Sequence, residues 1–218
     1  EDLKIVKSGP SERRKFLDIE LSQMERLYLY QLTNYNKILV QRNNLLKQIR
    51  FQNNLIETLE AWDIQLVKYG SEVIKYREKF IKHLGEVCQK IHNKLTGGKE
   101  KILLEYDRDV GYDSYLTELA KKRQKDLKYS TTTVGPHRDD ISFIVNGIDI
   151  RKYGSQGQQR TAALSLKLSE IYLVEKIIHD KPVLLLDDVL SELDSSRQNY
   201  LLESIHDIQT MITCTGRG

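Results

Sequence analysis

The sequence predicts an α+β protein, an all-helical part built on a long antiparallel hairpin and a second part with a parallel sheet and crossover helices. Three observations carry this. Apolar and aromatic residues recur at three-four spacing from about residue 24 to 95. The period changes after residue 100. A short aliphatic run, Val183 to Leu186, then ends in the pair Asp187-Asp188.

Taken in order, the chain opens on Glu1 in what reads as the middle of a strand, and it stops just after another, which reads as a piece of a longer protein. A short helix starts near Pro10 and Ser11, because proline is tolerated in a first turn. Tyr28, Leu32, Tyr35, Leu39, Leu46 and Ile49 form the buried stripe of one long helix, with Arg42 standing in an apolar slot. Asn53-Asn54 is a weak turn signal. Trp62, Leu66, Tyr69, Val73, Tyr76, Phe80, Leu84, Val87, Ile91 and Leu95 form a second stripe, ended by Gly97-Gly98. Two long helices with a short connection pack antiparallel. Ile102 to Tyr106 reads as a strand and Ser114 to Tyr129 as a basic amphipathic helix. Thr131 to Val134 and Ile141 to Val145 read as strands, with Asn146-Gly147 turning into Ile148 to Ile150. A glycine-punctuated loop, Tyr153 to Gly157, leads into a long helix ending near His179. The run from Pro182 to Asp188 reads as a strand buried on both faces. A helix from Ser195 to His206 and a strand from Thr210 to Thr215 follow. Predicted boundaries are 1–9 for the end of one lobe, 10–100 for the helical lobe and 101–218 for the remainder.

Composition narrows the function. Of 218 residues, 39% are hydrophobic and 30% charged, which predicts a globular rather than a disordered chain. No apolar run approaches the ~20 residues of a membrane-spanning helix. Cys88 and Cys214 make no disulfide framework, so a reducing, cytoplasmic setting is expected, with no membrane partner. Residues 1–130 carry 25 Lys and Arg against 19 Asp and Glu, and residues 131–218 carry 9 against 12. The basic part is the candidate polyanion surface, a solvated helical face being the alternative. Its candidate phosphate contacts are Arg13 and Arg14, the cluster Lys121, Lys122, Arg123 and Lys125, and Arg138 in Gly135-Pro136-His137-Arg138-Asp139-Asp140. For Arg138 the alternative is a structural pair with Asp139 or Asp140. No element carries a recognition-helix signature, so sequence-independent DNA binding is expected.

The chemistry lies in an ordered set of motifs. A buried strand ending in Asp187-Asp188 puts fixed negative charge at the edge of a sheet where α/β proteins bind ligands. There Asp187 can hold Mg²⁺ through water and Asp188 can polarise an attacking water. Ser191-Glu192-Leu193-Asp194 follows directly, and Tyr153-Gly154-Ser155-Gln156-Gly157-Gln158 lies upstream at a helix start. A serine hydroxyl and glycine amides at a helix N-terminus suit an anion. Each motif alone has a bland reading, as an Asp cap or an ordinary glycine-rich N-cap. Their order resembles the ABC-type ATPase half that carries signature, Walker B and D-loop, with Gln156 in place of the usual middle glycine.

Within that superfamily, Gly9 to Asp18, Gly135 to Asp140, Tyr153 to Thr161 and Leu184 to Asp194 resemble the RecF family of bacterial recombination-repair ATPases. The resemblance covers nearly the whole chain. It implies an SMC-like ATPase head with a helical lobe II, a Mg²⁺- and ATP-dependent homodimer, and binding to single- and double-stranded DNA. It also implies cooperation with RecR and RecO in loading recombinase at gaps, in the damage (SOS) response, at the nucleoid. Ser155, Gly157 and Gln158 would then contact the partner subunit's nucleotide, with Asp187 at the metal, Asp188 at the water and Asp194 in the D-loop. A phosphate loop, G-x-x-x-x-G-K-[ST], is absent: at the only Gly-Lys, Gly98-Lys99, Asn93 replaces the first glycine and Glu100 the final hydroxyl residue. In the family that loop would precede Glu1, so the parent is the expected weak DNA-dependent ATPase and this stretch alone is expected to hold ATP poorly. The rival reading is a non-catalytic DNA-binding or scaffold module from another SMC-like head.

Overall fold

A computed structural model describes residues 3–178, 183–187, 190 and 193–213, the side chains of residues 53, 178 and 196 excepted. Its helices are α1 (Leu3–Lys7), α2 (Pro10–Met24), α3 (Arg26–Ile49), α4 (Leu59–Leu95), α5 (Tyr115–Tyr129), α6 (Ile150–Tyr153), α7 (Gln156–Ile178) and α8 (Ser195–Ser204). The strands are β1 (Ile102–Asp107), β2 (Asp140–Val145), β3 (Ile148–Asp149), β4 (Leu184–Asp187) and β5 (Thr210–Thr213). Short 3₁₀ turns occupy Asn53–Thr58 and Pro136–Arg138. Mixed helix and small sheets make this an α+β fold, as predicted.

The chain divides into two compact units. One holds residues 8–81 and 106–141, the other residues 1–7, 82–105 and 142–218. These cuts differ from the predicted boundaries at 9/10 and 100/101. A single continuous helix, α4, crosses residue 81, so helical periodicity carries no mark of the change. The strand expected at the opening is instead helix α1, which buries Val6 and packs on α6 and α7.

In the first unit α3 and α4 form the expected antiparallel hairpin. Arg42 meets Asp63, Tyr35 lies against Gly70, and Tyr28 meets Arg77, so one index falls as the other rises. A Cβ at Gly70 would stand 2.6 Å from the Tyr115 ring and 2.9 Å from that of Tyr35, so glycine lets both rings close on α4. Leu45, Leu46, Ile49 and Leu59 seal the end near the connection, with Trp62 and Leu127 against them.

Arg42 is fully buried. Its Nε donates to Asp63 at 2.7 Å, and its Nη1 to Asp126 at 2.7 Å and to the Thr132 hydroxyl at 2.8 Å. Asp126 also accepts from the Thr133 N–H and hydroxyl, and Asn43 accepts from the Thr132 N–H. Breaking one side of such a pair costs about 3–5 kcal/mol, since a buried charge is left uncompensated. The same side chains explain why Thr131 to Val134 is not the predicted strand. Asn43 and Asp126 take the backbone N–H groups of Thr132 and Thr133 that a neighbouring strand would need.

In the second unit α7 is buried nearly all round from Thr161 to Leu166, so it has no single apolar stripe. Leu164, Leu168 and Ile171 on α7 join Leu95, Leu184, Leu186, Leu201 and Ile205 in one core. Strand β4 pairs in parallel with β5, Asp187 opposite Thr213. It is not buried on both faces: Leu184 and Leu186 are buried while Leu185 is 69% exposed. The order of the other sheet is β1-β2-β3. Asn146 and Gly147 turn β2 into β3 with positive φ, 49° and 82°, the tight turn that their residue types predict. Strand β3 stops early because Asp149 caps α6, accepting the Arg151 N–H at 3.0 Å.

Candidate functional site

Helix α7 begins in a reciprocal cap. The Ser155 hydroxyl accepts the Gln158 N–H at 3.2 Å, and the Gln158 side-chain carbonyl accepts the Ser155 N–H at 3.0 Å. This is a capping box, with glutamine three residues after the serine, and it holds Ser155 and Gly157 exposed at the positive end of a 23-residue helix. The two glycines of the loop do different work. A Cβ at Gly154 would stand 2.6 Å from the Ile150 carbonyl oxygen, so the fold itself excludes any side chain there. A Cβ at Gly157 would meet nothing closer than the Ser155 hydroxyl at 3.9 Å. The fold leaves Gly157 open, a cradle that a side chain would fill.

The Gln158 side-chain amide is also used at its nitrogen end. Its Nε2 donates to Glu100 at 3.2 Å, and the other Glu100 oxygen lies 3.2 Å from Nε2 of the wholly buried His92. His92 Nδ1 meets the Ser165 hydroxyl on α7 at 2.9 Å. Burial lowers the His92 pKa against the pull of Glu100, with the Arg197 charge adding to the lowering. Sequence reasoning missed this strap. The signal was present in part: His92 falls on the buried α4 face with Leu84, Cys88 and Leu95. Nothing in the sequence gives the partner.

Asp187 ends β4 with its carboxylate exposed and accepts from the Thr213 hydroxyl at 2.5 Å. Asp188 lies outside the described residues. Asp194 caps α8, accepting the Arg197 N–H at 3.0 Å and pairing with its guanidinium at 2.7 Å. Gln198 donates back to the carbonyls of Leu190 and Leu193, fixing the backbone ahead of that cap. Among the described residues no cluster of His, Cys, Asp and Glu could hold a metal by itself. A Mg²⁺ that keeps its waters and binds phosphate oxygens needs only one such carboxylate, and Asp187 meets that need. A groove of about 340 Å³ between α4, α7 and α8, lined by Ile91, Lys94, Tyr172 and Tyr200, holds none of the predicted site residues.

The predicted phosphate contacts separate. Arg13 is only 3% exposed, and its guanidinium holds both Asp140 oxygens, at 2.5 and 3.0 Å, and the Ser8 carbonyl. It is a structural residue, because a buried charge is tolerable only when so paired. Arg14 donates to the Asp139 carbonyl at 2.8 Å. Arg123 turns inward to Asp63 at 3.0 Å, and Lys121 pairs with Glu118 on the surface. Lys122 and Lys125 are exposed. Arg138 is exposed and is not paired with Asp139 or Asp140. Asp139 instead accepts from Arg77, Tyr106 and the Asp109 N–H, and Asp140 belongs to Arg13. His137 accepts from Tyr35 at 2.6 Å and donates to the Thr132 carbonyl at 3.1 Å, and burial pushes its pKa down to about 4. Gly135 adopts φ 136°, and a Cβ there would collide with the hydroxyls of Tyr115 and Tyr35.

No family model matches the chain. The chain is 60% identical over 216 residues to the DNA replication and repair protein RecF of Agathobacter rectalis, covering 99% of this chain and 60% of that protein. A solved structure of the recombination mediator protein RecF with ATP superposes with a TM-score of 0.92 at 40% identity, covering 100% of this chain and 60% of that one. The chain belongs to the RecF family. It spans about 60% of the length of the RecF relatives it matches. The Smc head domain of Pyrococcus furiosus is 15% identical with a TM-score of 0.52, covering 98% of this chain and 53% of that one, and this likeness supports the SMC-type head as a fold. As in RecF, the helices and small sheets described above are those of an ABC/SMC-like head.

Proposed function

We propose that this chain is the part of a RecF-type DNA replication and repair protein that presents signature loop, Walker B strand and D-loop to ATP. The capping box at α7 carries the reading. It holds Ser155 exposed, leaves Gly157 open and aims the helix dipole outward, which suits a phosphate group brought by a second subunit. Bound with Mg²⁺, ATP supplies a terminal phosphoryl group whose charge the metal neutralises.

The chain's own residues then divide the work. Ser155 donates its hydroxyl proton to a phosphate oxygen across the interface, while Gly157 permits the approach. Gln158 holds Ser155 in place. Asp187 would hold the metal through water, and the Thr213 hydroxyl orients that carboxylate. Asp188 accepts a proton from the attacking water. Asp194 fixes the D-loop through Arg197. ATP-dependent dimerisation gates sequence-independent binding to DNA, single- or double-stranded, and RecR and RecO cooperate in loading recombinase at gaps, in the cytoplasm at the nucleoid. The relatives named DNA replication and repair protein RecF and the RecF–ATP structure support this reading.

The test separates the two aspartates in a full-length family member carrying this stretch. Asp188→Asn is expected to cut ATP turnover by about 10²-fold or more, the scale of a positioned general base, while ATP-dependent dimers persist. Asp187→Asn is expected to weaken Mg²⁺–nucleotide binding and dimerisation together. Parental turnover in Asp188→Asn would remove its role.

A further inference from the structure

Each end of the Gln158 side-chain amide makes a hydrogen bond, one within the loop and one leading away from it. Its carbonyl serves the Ser155 N–H, and its Nε2 serves Glu100. A side-chain amide can be turned end for end with little change of shape. A carboxylate only accepts, so it dictates which end of the amide faces it. With Nε2 on Glu100, the carbonyl is left for Ser155. Glu100 is itself fixed, because its second oxygen accepts from His92, whose ring is wholly buried and tied to Ser165.

We propose that Glu100 is a positioning residue for the signature loop, holding Gln158 in the one orientation that closes the capping box around Ser155. The inference rests on the signature reading of that loop. Glu100 does not touch nucleotide. It acts through Gln158, and His92 keeps it aimed. When the carboxylate is lost, the Gln158 amide turns toward water, the Ser155 N–H loses its acceptor, and the hydroxyl no longer points one way.

The experiment uses a full-length family member and three readouts: ATP affinity of the monomer, dimer formation with ATP, and melting temperature. Glu100→Ala is expected to weaken ATP-dependent dimerisation about tenfold, the scale of one hydrogen bond to a charged group. ATP binding by the monomer should hold, while the melting temperature falls by a few degrees because the buried His92 Nε2 loses its partner. Glu100→Asp, one methylene short of Gln158, is expected to weaken the dimer likewise. Glu100→Gln is expected to restore it, since the new carbonyl accepts from Gln158 while its amide donates to His92 Nε2, the ring proton moving to the Nδ1 that faces Ser165. Gln158→Ala combined with Glu100→Ala should be no weaker than Gln158→Ala alone, because both remove one arrangement. Parental dimerisation in both Glu100→Ala and Glu100→Asp, or losses that multiply in the double variant, overturns the proposal. Ser155→Arg in the same assay separates the two readings. If it dimerises normally the signature reading itself fails, and if it stays monomeric while the Glu100 variants dimerise normally only the role of Glu100 fails.

Discussion

Gly157→Ala separates what the chain needs from what a ligand needs. Gly157 is the second residue of α7, and an added Cβ would find its nearest heavy atom, the Ser155 hydroxyl, at 3.9 Å. The substitution creates no clash, and alanine is the better helix former by up to about 1 kcal/mol. For a chain of this size that amounts to about 2–4 °C in melting temperature, less so close to a helix end. The variant should therefore melt at or slightly above the parental temperature. A methyl group at that place nevertheless occupies the space through which a phosphate would reach the amides of the first turn. ATP-dependent dimerisation of a full-length family member, followed by sedimentation, should fall at least tenfold. Gly154→Ala is the counterpart: its Cβ would lie 2.6 Å from the Ile150 Cβ and carbonyl oxygen, so it should lower the melting temperature. A Gly157→Ala protein that melts several degrees early, or that dimerises as the parent does, refutes the reasoning.

Three further perturbations follow from the same geometry. Lys122→Ala with Lys125→Ala should flatten the plot of log K against log salt on duplex DNA by about 2, at roughly 0.9 per phosphate contact, whereas Arg13→Ala should lower stability through its Asp140 pair. An unchanged slope, measured by fluorescence anisotropy, assigns those lysines to a solvated face. His137 is held neutral by burial, with its pKa near 4 against the ordinary 6.5. Between those values the unfolded chain takes up a proton that the folded chain refuses. Its contribution is therefore complete above pH 6.5 and is lost as pH falls toward 4, by up to about 3 kcal/mol. His137→Leu should flatten the acid limb of stability measured by urea unfolding, and an unaltered limb contradicts the assignment.

Periodicity made the hairpin legible, because α3 and the first part of α4 each bury one stripe, and a slip in register would expose Tyr28 or Leu66. Arg42 in an apolar slot signalled a buried charge, but its partners Asp63 and Asp126 lie 21 and 84 residues away and leave no local trace. Loop chemistry was equally readable where it is local, as at Asn146-Gly147 and the Ser155–Gln158 cap. Two of the failures share a cause. Thr131 to Val134 has strand-forming residues, yet side chains from α3 and α5 claim its N–H groups. Arg13 and Arg123 look like solvent-facing cations, yet distant carboxylates draw them inward. A composition-based reading of charge cannot tell a phosphate contact from an internal pair, because both need the same guanidinium.

The central claim is that the loop before α7 acts across an ATP-dependent interface, and Ser155→Arg tests it most directly. Ser155 is exposed, so the bulkier side chain has room in the monomer, and the lost cap on the Gln158 N–H costs only about 1 kcal/mol, too little to unfold the chain. In a full-length family member the variant should bind ATP as a monomer with parental affinity and stay monomeric at ATP concentrations that dimerise the parent. Normal ATP-dependent dimers of Ser155→Arg would contradict the account.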